Sequence, residues 1–114
     1  MKKFTLIAML VLLPMQTQAF FITGNALVNE MHEDEKVEAK TGGNQFQSGH
    51  YMGFVAASYD IASELGKICP SSAVTQGQAT AIVTKYLKSN PEKWNESATN
   101  LVYWALTAAF PCKK

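Results

Sequence analysis

Few residues in this 114-residue chain have the type and spacing to do chemistry. Cys69 and Cys112 are its two cysteines. A thiolate could be a nucleophile, but neither cysteine has a histidine near it in sequence to activate it. His32 is followed by Glu33, yet no second histidine arrives at the spacing of a helical zinc-protease motif. His32 and His50 with Glu33 or Asp34 could form a metal site only if the fold gathered them, and exposed histidines beside a loop are the plainer reading. Asp60 and Glu64 lie one helical turn apart, where a raised carboxyl pKa would suit general acid–base work. A solvated helix face accounts for them better. No serine sits in a nucleophile-elbow motif, and no glycine-rich stretch follows a strand to cradle phosphate. Asn95-Glu96-Ser97 matches a glycosylation sequon, but the leader described next is bacterial in style. The chain is therefore expected to be a binding protein, neither an enzyme nor a metal or cofactor carrier.

The leader bounds the compartment. Lys2 and Lys3 precede an apolar run from Phe4 to Leu13, Pro14 breaks it, and Thr17-Gln18-Ala19 places small residues at a cleavage site. That is the layout of a cleaved secretory signal, residues 1–19. The apolar run is short for a transmembrane span, and no cysteine follows Ala19 to carry a lipid, so no membrane anchor is expected after cleavage. Residues 20–114 then form one domain of 95 residues, near the size at which covalent staples help. All ten basic residues are lysine. Without Lys2 and Lys3, eight lysines face nine acids, a formal charge of −1. Nucleic acid is not an expected partner, because no arginine-rich basic patch exists. An exported chain with two cysteines should oxidise them. Cys69 and Cys112 enclose 44 residues, a loop whose closure is worth about 4 kcal/mol in the chain-entropy model.

The elements that hold these residues read as four helices without a convincing strand pair, an all-α domain with one disulfide. Ala26, Leu27, Val28 and Met31 suggest a weak first helix with Asn25 as its N-cap. From His32 to Ser48 the chain carries Glu33, Asp34, Glu35 and Glu38, then Gly42, Gly43 and Asn44. This reads as a solvated helix end running into a flexible loop. Helix two is expected from near Ser48 to Leu65, with Met52, Val55, Tyr59 and Ala62 as its stripe, Phe54, Ile61 and Leu65 widening it, and Gly66 as its stop. Helix three starts at a capping box, Thr75 with Gln78. Ala79, Ile82, Val83, Tyr86 and Leu87 follow at helical spacing, and Asn90-Pro91 ends it. Helix four begins between Pro91 and Ser97, capped by Asn90 or Asn95. Its uncharged run from Ser97 to Cys112 is apolar nearly all round. It is either central to the core or presents one face to a partner or a second copy. Ala79, Ile82, Tyr86, Leu101, Val102 and Leu106 are expected in the core.

The segments Ile68-Cys69-Pro70, Val74-Thr75-Gln76-Gly77-Gln78, Val83-Thr84-Lys85-Tyr86-Leu87, Asn90-Pro91-Glu92 and Ala109-Phe110-Pro111-Cys112 resemble the resistance-associated and type VI amidase immunity (Rap/Tai) family. Gly24-Asn25-x-Leu27, and Met52-Gly53-Phe54-Val55 with Asp60, are similar to its first two helices. The resemblance implies a periplasmic helical immunity protein whose partner is a peptidoglycan amidase effector injected by type VI secretion. It also implies that a homodimer can form. Family members often carry a second cysteine pair. Met31 and the His50-Tyr51 region stand in those places here, so the link between helices one and two is expected to be looser.

The mechanism implied is occlusion of the effector's active-site cleft. The segment from His32 to Ser48 is the expected insert, with Glu33, Asp34, Glu35, Gly42, Gly43 and Asn44 as effector-binding residues. A different reading is a periplasmic acid-stress chaperone, which would expose apolar surface when acid neutralises its carboxylates.

Overall fold

The computed structural model describes residues 20–113. The signal segment inferred above, residues 1–19, lies outside them. Four α-helices follow one another: α1 Gly24–Glu38, α2 Gln45–Glu64, α3 Gln76–Ser89 and α4 Ala98–Ala109. A 3₁₀ turn at Pro91–Lys93 joins the last two. The described residues contain no β-sheet, so the all-α fold read from the sequence stands.

Each helix begins on a side chain that satisfies one of its unpaired backbone N–H groups. Thr23, extended at φ −80° and ψ 158°, accepts from Ala26 N and caps α1. The expected cap, Asn25, lies inside the helix and is exposed. Thr23 wins because a backbone bridge to Ser97 already holds it extended. Ser97 is the cap of α4, accepting from Asn100 N at 3.1 Å. Neither Asn90 nor Asn95 serves there. Asn90 instead closes α3, donating from Nδ2 to Tyr86 O at 2.8 Å. Helix α2 starts three residues before Ser48, because Asn44 Oδ1 accepts from Gln47 N. The capping box of α3 forms as read, with Thr75 and Gln78 bonded in both directions. Gly66, at φ 66°, supplies the left-handed turn that ends α2. Its N–H donates to Ser63 O and that of Lys67 to Ala62 O, the paired bonds of a Schellman motif.

The core draws on all four helices. Leu27 and Met31 from α1, Tyr51 and Val55 from α2, Val83 and Leu87 from α3, and Leu101, Val102 and Leu106 from α4 are almost wholly buried. Burying each such aliphatic side chain stabilises the fold by roughly 1.5–3 kcal/mol before chain entropy is counted. Two expectations shift. Ile82 and Tyr86 are only half-buried, because α3 turns Val83 and Leu87 inward. At the end of α2, Ile61 and Leu65 face solvent, while Ala62 holds the inner position its place in the stripe predicts. Helix α4 buries one full face and leaves Tyr103 as its exposed large side chain, so its apolar run is mainly core.

The ends of α4 are tied in different ways. At its start, Gly24 N donates to Glu96 O at 2.7 Å and Ala98 N to Ile22 O at 3.1 Å. At its finish, Cys69 N donates to Phe110 O at 2.9 Å, and the Cys69–Cys112 disulfide closes beside that bond. The predicted disulfide is therefore present, and it fastens the α2–α3 link to the chain after α4.

Gly24 is required where α1 meets the start of α4. A Cβ there would lie 2.5 Å from Trp94 O, 2.6 Å from Glu96 O and 2.6 Å from Leu101 Cδ1. Two of these are backbone atoms that cannot swing away. Gly24→Ala is expected to destabilise the protein by about 1–3 kcal/mol despite alanine's better helix propensity. Thermal unfolding of the oxidised protein measures it, and an unchanged or raised Tm would refute the close approach.

Candidate interaction surface

The segment that the sequence marks as a flexible insert is a short, fastened corner. Helix α1 runs on to Glu38, so the acidic residues lie on helix and only residues 39–44 connect it to α2. Lys40 takes the left-handed position at φ 55°, where glycine is the usual occupant. Its N–H donates to Val37 O and that of Thr41 to Lys36 O, so α1 ends in a second Schellman motif. Gly42 and Gly43 follow with φ of 106° and 88°. Gly43 lies flat on α1, where a Cβ would come within 2.7 Å of Glu33 O, whereas nothing lies within 4 Å of Gly42.

Three of the carboxylates singled out from sequence have internal partners. Glu33 Oε2 accepts from Asn44 N at 2.8 Å, and its Oε1 takes Lys36 Nζ at 2.7 Å. The Lys36 ammonium, then the Asn44 N–H, hold the Glu33 carboxyl below its ordinary range. Asp34 is buried, and its Oδ1 accepts from the buried Ser48 hydroxyl at 2.7 Å. Glu35 reaches across to α3 and pairs with Lys88, with Nζ 3.2 Å from Oε1 and 3.3 Å from Oε2. Asn44 caps α2. Gly42 and the backbone of Thr41 are left at the exposed tip.

The α1–α2 link, expected to be loose for want of a second cysteine pair, is bonded along its length. Besides Glu33–Asn44 and Asp34–Ser48, His50 Nδ1 lies 2.8 Å from Glu30 Oε2. Met31 and Tyr51, which stand in or next to the places of those absent cysteines, are fully buried and pack in the core. Burial pushes the Tyr51 phenol up, and its hydroxyl meets Thr84 Oγ1 at 2.7 Å.

Beside the corner, an open groove of about 860 Å³ lies between α1 and α3. Glu35 and Glu38 stand on one wall, Lys85 and Lys88 on the other, and Met52 is among the residues between them. The α3 wall was not among the expected binding residues. Lys85 and Lys88 could be placed off the core face from their spacing, but nothing local ties them to α1. The histidines are not brought together. His32 meets the edge of Trp94 with ring centroids 6.4 Å apart, and His50 stacks on Phe46 at 6.5 Å. Among the described residues no group of three or more His, Cys, Asp and Glu side chains could hold a metal ion. Asp60 and Glu64 both lie on exposed turns of α2. No helix among the described residues is long and apolar enough to cross a membrane.

A protein-family model described as Rap1a immunity proteins matches residues 23–112, from the cap of α1 to the second half of the disulfide. No curated protein matches the chain.

The Glu33 contacts give a pH signature. A carboxyl held below its unfolded value of about 4.5 contributes stability that is present above that pH and lost as pH falls through the lower folded value. The Asn44 amide proton resonance should therefore titrate with a midpoint below 4.5. Glu33→Gln should abolish that titration and leave the rest of the spectrum in place. A midpoint at or above 4.5 would show that the bond does not hold in solution.

Proposed function

We propose that this chain, which belongs to the Rap1a immunity protein family, binds a peptidoglycan amidase effector delivered by type VI secretion and inhibits it by occluding its active site. In this reading the protein performs no catalysis of its own. It acts in the periplasm after removal of residues 1–19, and a homodimer is part of the same proposal.

The observation that carries the occlusion mechanism is the α1–α2 corner. Residues 39–44 are all exposed, yet they are held by two helix-ending bonds, the Glu33–Asn44 bond and the seat of Gly43 on α1. A projection fixed in this way enters a cleft without the ordering cost that a flexible loop would incur, so more of its contact energy appears as affinity. The acids Glu33 and Asp34 then act from behind the corner, by shaping it. Direct contact falls to the tip at Lys40, Thr41 and Gly42 and to the neighbouring Glu35 and Glu38. Family membership supports this reading over the acid-stress chaperone.

The test starts from the oxidised protein without its leader, used to capture partners from cells with active type VI secretion. A retained peptidoglycan amidase is then assayed on purified cell wall with and without the protein. Lys40→Glu with Thr41→Arg keeps the corner's backbone bonds and should weaken inhibition by about tenfold or more, roughly 1.4 kcal/mol, with Tm unchanged. An exposed change on α4, Asn100→Arg, should leave inhibition intact. Equal inhibition by wild type and corner variant would refute insertion of the corner. An amidase that is captured but stays fully active would refute the inhibitor reading itself.

A further inference from the structure

The groove between α1 and α3 carries opposite charges on its two walls, and the chain uses only part of them. Glu35 pairs with Lys88 across it, yet one oxygen of that pair is poorly served. Glu35 Oε1 is closed to solvent and accepts no hydrogen bond among the described residues, although Lys88 Nζ stands 3.2 Å away. Both side chains remain well exposed, at 56% for Lys88 and 38% for Glu35. An ion pair exposed to this degree contributes little, so a ligand parts it at small cost. One turn away on each helix, Glu38 and Lys85 are exposed and belong to no ion pair among the described residues. The α3 wall continues from Lys88 and Lys85 to Ala81 and Gly77 at helical spacing. These two small residues let a peptide main chain lie close. A Cβ on Gly77 would meet only Thr75 Oγ1, at 4.0 Å. Met52 of α2 adds an apolar contact.

We propose that this groove is a binding site for a short peptide carrying a free ammonium and a free carboxylate. The ligand's ammonium takes the α1 wall, where Glu35 Oε1 lacks a donor and Glu38 lacks a partner. Its carboxylate takes Lys85 and the displaced Lys88. The walls select a zwitterion because it replaces both halves of the Glu35–Lys88 pair and leaves neither charge uncompensated. A simple anion or cation parts the pair and strands one half of it. The groove's volume of about 860 Å³ lies in the range of small-ligand sites, about 300–1,000 Å³.

Hydrolysis of amide bonds in the cell wall sets such peptides free, since each cut adds water and leaves a carboxylate on one fragment and an ammonium on the other. That source rests on the amidase reading above; the site itself does not.

Titration calorimetry and amide NMR of the oxidised protein without its leader test this, with tri-alanine as the probe and its N-acetylated and C-amidated forms as controls. Tri-alanine should bind with a Kd of about 0.1–1 mM, the strength that ligand efficiency allows a molecule of its size. It should shift the amide resonances of Ala81, Thr84 and Lys85. Blocking either end should weaken binding by about tenfold or more. Lys85→Gln with Lys88→Gln should reduce tri-alanine to the level of its amidated form, with Tm unchanged because both lysines are exposed. Gly77→Leu with Ala81→Phe fills the groove from exposed positions and should abolish binding while the fold persists. Equal binding of free and blocked tri-alanine, or no binding into the millimolar range, overturns the proposal. Peptides released from purified cell wall by a peptidoglycan amidase are the second probe. Competition with tri-alanine supports that source, and failure to compete overturns the source alone. Neither result touches inhibition of the effector.

Discussion

The fold depends on the junction at which residues 22–24 and 96–98 exchange backbone hydrogen bonds. Thr23 and Ser97 face each other there, and each also caps its own helix through its side-chain oxygen. One pairing thus fixes where α1 and α4 begin and how closely they meet. Gly24 follows directly, because no side chain fits between the two starts. With both ends of α4 tied, here and at Cys69–Phe110, its inward face of Leu101, Val102, Ala105 and Leu106 has one place to go. The core is organised around that face.

A second consequence is the division of labour on α2. Its inner face carries Tyr51 and Val55 into the core, and its start is fixed by Asn44 and by the hydrogen bond from Ser48 to Asp34. Its outer face, with Phe46 and Ile61, is left exposed by the described residues. The molecule is thus well fastened on the side where α1 turns into α2, and open along the next helix. Rigid projection and exposed face adjoin at Asn44 to Phe46.

How much of this was legible follows from the range of each interaction. The α3 capping box, the Gly66 stop, the Asn90-Pro91 end and the disulfide were readable because they depend on neighbouring residues or on the redox chemistry of a pair. The caps of α1 and α4 were misplaced because Thr23 and Ser97 are selected by each other across the fold. The acidic helix end reads as solvated and its continuation as flexible, because Glu33, Asp34 and Glu35 have no partners nearby in sequence. Their partners, Asn44, Ser48 and Lys88, appear only once the helices pack. Helix α2 has apolar residues around much of its circumference, so periodicity placed Ala62 in the inward stripe but could not show that Ile61 and Leu65, which widen it, lie outside the core. On α3 the same ambiguity hid that Val83 and Leu87 outrank Ile82 and Tyr86. The family resemblance covered the fold correctly, and it could not say which part of the corner is scaffold and which is tip.

The junction also sets the order in which the chain can assemble. Helices α1 and α2 are neighbours in sequence and joined by a short corner, so they can associate early. The two ties on α4 link the first helix to the last and a mid-chain cysteine to one beyond α4, contacts of long sequence separation that form late. Until they do, α4 is an unsheltered apolar helix in a partly folded chain. The Cys69–Cys112 disulfide lies beside the Cys69–Phe110 bond, so once closed it keeps the end of α4 next to the α2–α3 link. It acts as a ratchet, turning a slow docking event into one that is not easily undone.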